Sequence, residues 1–237
     1  RIKPTGEDSR FQYTFDNGLY EIIDTPKPQD DLLGFHDTKP YKQRLKEARK
    51  KTGLHCSMVV ATGNVKNIPI TAVASDFDFL GASIEAAEGE AFLAAADHAI
   101  QNRQPLVIFT SGGGMRMQGG MISLNQMPRT TLAVNEVKRN GLPYIVVLCD
   151  PTAGGITASY AMLGDIHIAE PNATVAFAGA RVIQGTVKES LPIGFQKSEY
   201  LVDKGQIDLV VQRKDIPEKL GTLLSILLKK NSDISSE

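Results

Sequence analysis

Three times along this chain a short, apolar, β-rich run ends in a glycine turn and gives way to a helical pattern, and this repetition restricts the fold more than any other feature. Pro105 to Thr110 leads through Ser111-Gly112-Gly113-Gly114 into a helix expected from Met115 to Met127 and stopped at Pro128. Pro143 to Cys149 leads through Asp150-Pro151-Thr152-Ala153-Gly154-Gly155 into a second short helix, Ile156 to Leu163. Ile68 to Ala74 passes Gly81 into a helical stretch from about Ser83 to Asn102, with Phe92, Ala96, Ala99 and Ile100 on one face. Strand, turn and helix in that order predict an α/β fold with a layered core, its functional turns gathered along one edge.

Glycines where a strand meets a helix let a ligand approach the main chain, and the exposed first-turn N–H groups and helix dipole favour negative charge. Gly112, Gly113 and Gly114 are therefore candidates to bind a phosphate or an enolate oxygen. A tight strand-to-helix turn also needs glycine on steric grounds alone.

A chain of 237 residues with 42% hydrophobic content can build one large core, read as an arm and basic helix over residues 1–53 and a core over 54–237, a single structural domain overall. Net charge is 26 − 27 = −1, so nothing draws the chain generally to nucleic acid or an anionic membrane. No apolar run approaches the ~20 residues that span a bilayer, and Arg1-Ile2-Lys3-Pro4 lacks a signal-peptide core, so the expected location is the cytoplasm. Cys56 and Cys149 read as reduced structural thiols. His36, His55, His98 and His167 show no metal-ligand spacing, so no metal site is expected. The first forty residues, with Pro4, Pro26, Pro28 and Pro40, read as an arm that wraps the core or a partner. Tyr41 to Lys51 reads as a basic helix ending near Gly53, either a solvated face or an attractor of phosphate. Ile216 to Lys230 is an amphipathic helix carrying Leu220, Leu223, Leu224 and Leu227, and Asn231 to Glu237 read as frayed.

Ordered blocks from about Asn17 to Val211 resemble the β subunit of bacterial acetyl-CoA carboxylase carboxyltransferase. They include Ser111-Gly112-Gly113 with Arg116-Met117-Gln118, Asp150-Pro151-Thr152 with Gly154-Gly155, Ala158-Ser159-Tyr160-Ala161-Met162-Leu163-Gly164-Asp165, Ala169-Glu170-Pro171, and Phe177-Ala178-Gly179 with Arg181-Val182-Ile183. Tyr41-Lys42 with Arg44-Leu45 and Lys51-Thr52-Gly53 fit the same family. That family begins with a four-cysteine zinc ribbon, and this chain starts after the place where the ribbon would lie; zinc is implied only if such a ribbon exists. Further departures are Ala82 in place of glycine, Gly114 in place of alanine, Gly119 in place of glutamate, Ala180 in place of proline, and Gln184-Gly185 where Glu-Gln is common.

The resemblance implies a crotonase-like ββα spiral (ClpP/crotonase), acetyl-CoA as acceptor, carboxybiotin on a biotin carboxyl carrier protein as donor, malonyl-CoA as product, and a partner α subunit in an α2β2 assembly. By the same resemblance, Gly112, Gly113 and Gly114 hold the thioester enolate, while glycines of the partner hold the biotin ureido oxygen. Gly154 and Gly155 either line the acyl-CoA pocket or permit close helix–strand packing. Arg116 and Arg181 either face a carboxylate or CoA phosphate or form salt bridges. Met115, Met117, Met121 and Met127 are expected in the core or a subunit interface, Asp76 and Asp78 in a turn, and Glu88 and Glu90 in solvent. No convincing acid–base pair is present; none is obligatory if the biotin nitrogen takes the methyl proton.

Competing readings are another acyl-CoA carboxyltransferase or a malonate decarboxylase subunit, a Clp-like serine peptidase with Ser159 as nucleophile, and a scaffold that only binds its partner.

Overall fold

The computed structural model describes residues 1–188 and 190–229. Along the chain come α1 (Arg10–Thr14), β1 (Tyr20–Ile22), α2 (Tyr41–Thr52), β2 (Met58–Val65), β3 (Ile68–Ser75), α3 (Ala86–Gln101), β4 (Leu106–Gly112), α4 (Met121–Leu124), α5 (Gln126–Arg139) and β5 (Tyr144–Ala153). Then follow β6 (Ile166–Ala169), β7 (Val175–Ala176), α6 (Ala180–Val187), α7 (Ser198–Asp203), β8 (Leu209–Val210) and α8 (Ile216–Leu227). Among the described residues the strands form one sheet in the order β1-β2-β3-β4-β5-β6-β8, with β7 also paired to β5. β1, β2 and β3 pair antiparallel; every pairing from β3 onward is parallel.

The change of direction follows from the connections. β2 and β3 are joined by Lys66 and Asn67, both at positive φ, a two-residue hairpin whose N–H groups are each taken by the Asp16 carboxylate at 2.8 Å. β3, β4 and β5 are separated by whole helices, and parallel neighbours require such crossovers. Because those strands are covered on both faces, their residues alternate between two cores. Leu106, Ile108, Tyr144, Val146 and Leu148 join the core beneath α3 and α5, whereas Val107, Phe109, Ile145, Val147 and Cys149 join the one beneath α1 and α8. A third, small cluster of Tyr41, Leu45, Ala48 and Phe79 seats α2 against the turn after β3.

Two expected helices differ. The stretch after the triple glycine is a single 3-10 turn at Met117–Gly119, then α4 and α5, broken by Gly120 at φ +51°. Pro128 does not stop a helix but lies in the first turn of α5, where its missing N–H has no intrahelical partner to lose. Residues 156–163 are a run of turns with one 3-10 turn, Tyr160–Met162. α2 ends at Gly53 in the left-handed conformation, as its sequence predicts. Lys230 and Asn231 to Glu237 lie outside the described residues.

The N-terminal arm is pinned by a buried ion pair, Arg10 to Glu170 at 2.7 Å, with Arg213 adding two bonds of 2.8 Å to the same carboxylate. Burial alone pushes Glu170 up, but the two guanidinium groups outweigh it and hold its pKa below 4.5. Burial lowers His167, His98 and His55 below 6.5. Both kinds of shift act in the same direction. The stabilisation from the neutral, half-buried histidines is complete above 6.5 and lost as pH falls below it; that from Glu170 is complete above 4.5 and lost as pH falls through its lowered value. Tm is therefore expected to fall in two stages on acidification from pH ~7, and a Tm that rose between pH ~7 and ~5 would contradict these shifts.

Candidate active site

β4 and β5 pair in parallel from Leu106 opposite Tyr144 to Thr110 opposite Leu148 and, after a shift of register, Gly112 opposite Thr152, so the turns that leave them emerge side by side. Thr152 ties them together: its hydroxyl donates to the Cys149 carbonyl at 2.8 Å and lies 3.1 Å from the Thr110 carbonyl and 2.9 Å from the Thr110 hydroxyl.

Each glycine in the first turn has a different duty. A Cβ on Gly112 would stand 2.5 Å from the Ala82 carbonyl oxygen and 2.6 Å from Ile156 Cδ1, so glycine is a packing requirement there. Gly113 is exposed, and a Cβ on it would meet nothing within 4 Å; its N–H donates to the Gly81 carbonyl at 3.1 Å. Gly114 is buried, and its carbonyl accepts from Ile84 at 2.9 Å, but its N–H has no acceptor among the described residues. In the second turn the Gly154 N–H donates to the Ala176 carbonyl at 3.0 Å, whereas the Gly155 N–H has no acceptor among the described residues.

The two turns abut. A Cβ on Gly154 would lie 3.1 Å from the Gly113 oxygen, and one on Gly114 would lie 3.3 Å from the Gly155 nitrogen. The N–H groups of Met115, Ile156 and Thr157 on the same two turns likewise have no acceptor among the described residues, an uncommon concentration because packed N–H groups nearly always find one. Met115 and Met127 close against Gly155. Met117 and Met121, expected in the core or an interface, are 67% exposed beside the turn.

Arg116 does not reach out to a ligand. Its guanidinium is buried, donating to Ser83 Oγ (3.1 Å), the Ser83 carbonyl, the Tyr41 hydroxyl (3.0 Å), Glu85 (3.3 Å) and Glu88 (2.6 Å). Five N–H groups meet five acceptors, so the carboxylates it faces are the protein's own. Glu88, expected in solvent, is fully buried in this network. Burial pushes Glu88 up, yet the Arg116 charge and the N–H groups of Ser57 and Glu85 outweigh it and hold its pKa below the usual range. The sequence carried a signal: Glu88 shares the apolar stripe of Phe92, Ala95 and Ala99 along α3. Glu90 is half-buried and paired with Arg129 at 2.7 Å. Arg181 lies on α6, and its side chain falls outside the described residues.

Two departures acquire a physical setting. A Cβ on Gly119 would stand 2.8 Å from Glu85 Cγ and 2.3 Å from Ser123 Oγ, so Glu85 fills the space that a side chain at 119 would need. Ala82 sits buried at φ +49°, a left-handed conformation that glycine would adopt without strain.

The remaining candidates are structural. Asp76 accepts from the Asp78 N–H at 2.8 Å in a turn, as expected. Burial pushes Cys149 up to about 11 and Cys56 up to about 12, so both thiols stay protonated near neutrality. Ser159 donates to the Gly155 carbonyl at 2.6 Å, while His167 Nε2 accepts from the Gly164 N–H at 3.1 Å, so the hydrogen bond a peptidase triad needs is missing. α2 spends Arg44 on Asp37 and Arg49 on Asp30, which neutralises much of the basic face.

The chain matches the carboxyl transferase domain over residues 30–232 and belongs to that family. Solved structures share its crotonase-like fold. The transcarboxylase 12S hexamer core superposes with a TM-score of 0.73 at 21% identity, covering 91% of this chain and 40% of the other. The Pseudomonas malonate decarboxylase MdcD–MdcE heterodimer gives 0.70 at 18%, covering 96% and 88%. Sequence relatives place the chain more narrowly, among acetyl-coenzyme A carboxylase carboxyl transferase β subunits. That of Pelagibacter ubique is 66% identical over 236 residues, spanning all of this chain and 75% of the relative; that of Caulobacter vibrioides is 54% identical over 223 residues, spanning 94% and 73%. The peptidase and malonate decarboxylase readings give way to this one.

Proposed function

We propose that this chain is one half of a two-subunit transferase that moves a carboxyl group from carboxybiotin, carried on a separate protein, to acetyl-CoA, giving malonyl-CoA for fatty acid synthesis. The observation that carries this reading is the pair of unpaired N–H groups of Gly114 and Gly155 on abutting turns. Carboxybiotin supplies the carboxyl group and a nitrogen able to take the methyl proton. The chain's own task is then to steady negative charge as it builds on the thioester oxygen of acetyl-CoA. Fixed main-chain dipoles suit that task, since they need no proton and no reorganisation, and loss of one such donor costs about 3 kcal/mol.

The role first given to Gly112, Gly113 and Gly114 together thus narrows to Gly114, joined by Gly155. Gly112 lets the turns meet, Gly113 keeps the approach open, and Gly154 allows backbone contact. Arg181 remains the candidate for a carboxylate or a CoA phosphate. The biotin ureido oxygen falls to glycines of a partner α subunit, within an α2β2 assembly fed by a biotin carboxyl carrier protein. The exposed Met117, Met121 and Leu124, directly after the first turn, support a protein partner at that rim. Zinc enters only with an N-terminal ribbon; the described residues hold no cluster of His, Cys, Asp or Glu that would bind a metal. No helix among them is long and apolar enough to cross a membrane, in keeping with a cytoplasmic location.

The test is malonyl-CoA-dependent carboxylation of free biotin, the reverse reaction, by this chain with an α subunit and by each alone. Activity is expected only in the mixture. Activity of this chain alone would refute the divided site.

A further inference from the structure

We infer that Arg116, with Glu88 and Tyr41, positions the donor turn and acts on turnover through it; this rests on the oxyanion reading of Gly114 above. The main chain already stitches the turn to the segment before α3. Ile84 donates to the Gly114 carbonyl at 2.9 Å, Arg116 donates from its own N–H to the Ile84 carbonyl at 2.8 Å, and Gly113 donates to Gly81 at 3.1 Å. The Arg116 side chain then grips the same segment a second time, through Ser83, Glu85 and Glu88.

Glu88 passes that hold to the sheet. One of its oxygens accepts the Ser57 N–H at 3.0 Å and the Ser57 hydroxyl at 3.2 Å, just ahead of β2, and the other accepts the Glu85 N–H at 3.0 Å. Tyr41, at the start of α2, closes the ring by accepting from Arg116 and donating to Glu85. The Gly114 N–H lies on the Gly113–Gly114 peptide, which is bracketed by two held peptides: Gly112–Gly113, whose N–H donates to Gly81, and Gly114–Met115, whose carbonyl accepts from Ile84; its direction therefore depends on whether Ile84 stays in place. The network therefore joins three separate elements to one donor. The Arg116, Glu88 and Tyr41 side chains are too buried to bind substrate: Arg116 is 3% exposed, and Glu88 and Tyr41 are 0%.

A positioning role separates from a merely structural one in kinetics. In the assembled complex, Arg116→Lys keeps the charge but cannot keep five bonds, and is expected to lower kcat by about 10²-fold with KM for malonyl-CoA unchanged. Tyr41→Phe removes one hydroxyl and leaves the ion pairs, so it covers the case in which Arg116→Lys folds poorly; its expected loss in kcat is about tenfold. Glu170→Gln, which breaks the buried pair on the opposite face of the sheet, is the control, expected to lower Tm while leaving kcat per folded complex at the wild-type value. The inference is overturned if Arg116→Lys and Tyr41→Phe keep wild-type kcat, or lose it only as the folded fraction falls. Gly113→Val, measured alongside, tells the two failures apart: an active Gly113→Val removes the oxyanion reading itself, whereas an inactive one beside active Arg116→Lys and Tyr41→Phe removes only the positioning role.

Discussion

Gly113→Val should fold normally and lose at least about 10²-fold in transferase turnover once assembled with its partner. The structural half of that expectation rests on space. No atom lies within 4 Å of a Cβ at this position, and its φ is not one that favours glycine, so neither clash nor strain opposes the side chain. The functional half rests on place. Gly113 is the exposed member of the turn, next to the unpaired Gly114 N–H and against the second turn, so on the proposed reading a branched side chain stands where the acyl oxygen would arrive. Circular dichroism and Tm matching wild type, together with the rate of the reverse reaction, check both halves. Undiminished turnover would mean that nothing approaches the backbone here.

The neighbouring residue should behave in the opposite way. Gly112→Val forces a Cβ to within 2.5 Å of the Ala82 carbonyl oxygen at φ +155°, and neither the buried strand end nor the Ala82 backbone can withdraw cheaply. Overpacking of about 1–3 kcal/mol and backbone strain of about 1–3 kcal/mol together predict a loss of about 2–6 kcal/mol in unfolding free energy. Urea denaturation measures it directly. A loss under about 0.5 kcal/mol, the range of an ordinary surface substitution, would show that the turn is looser than described. Two adjacent glycines, one required for packing and one for access, are thus separable by two experiments.

Those different duties mark where sequence reasoning ran out. The repeated strand, turn and helix pattern was legible because short continuous apolar runs and glycine punctuation are local, and β3, β4 and β5 fall within a few residues of their expected places. What a glycine is for depends on what lies opposite it across the fold. Thus Gly155, left open between pocket lining and packing, emerges as the partner of Gly114 only when β4 and β5 are set side by side. Arg116 illustrates the same limit: alone it reads as a charge free to meet a ligand or a surface partner, and its burial follows from an encounter with Glu88, 28 residues away in sequence. The misplaced helix end at Pro128 has a local cause, since proline halts a helix from within but is at ease in its first turn.

The spacing of the two open donors is inherited from the sheet. Gly114 and Gly155 each lie two residues beyond the ends of neighbouring parallel strands, which pair as far as Gly112 opposite Thr152 after a shift of register. Their closeness starts from that backbone pairing and is completed by the Thr110–Thr152 tie and by the direct contact of the two turns. If a partner subunit docks at the exposed rim as proposed, it meets turns whose contact is already made within this chain.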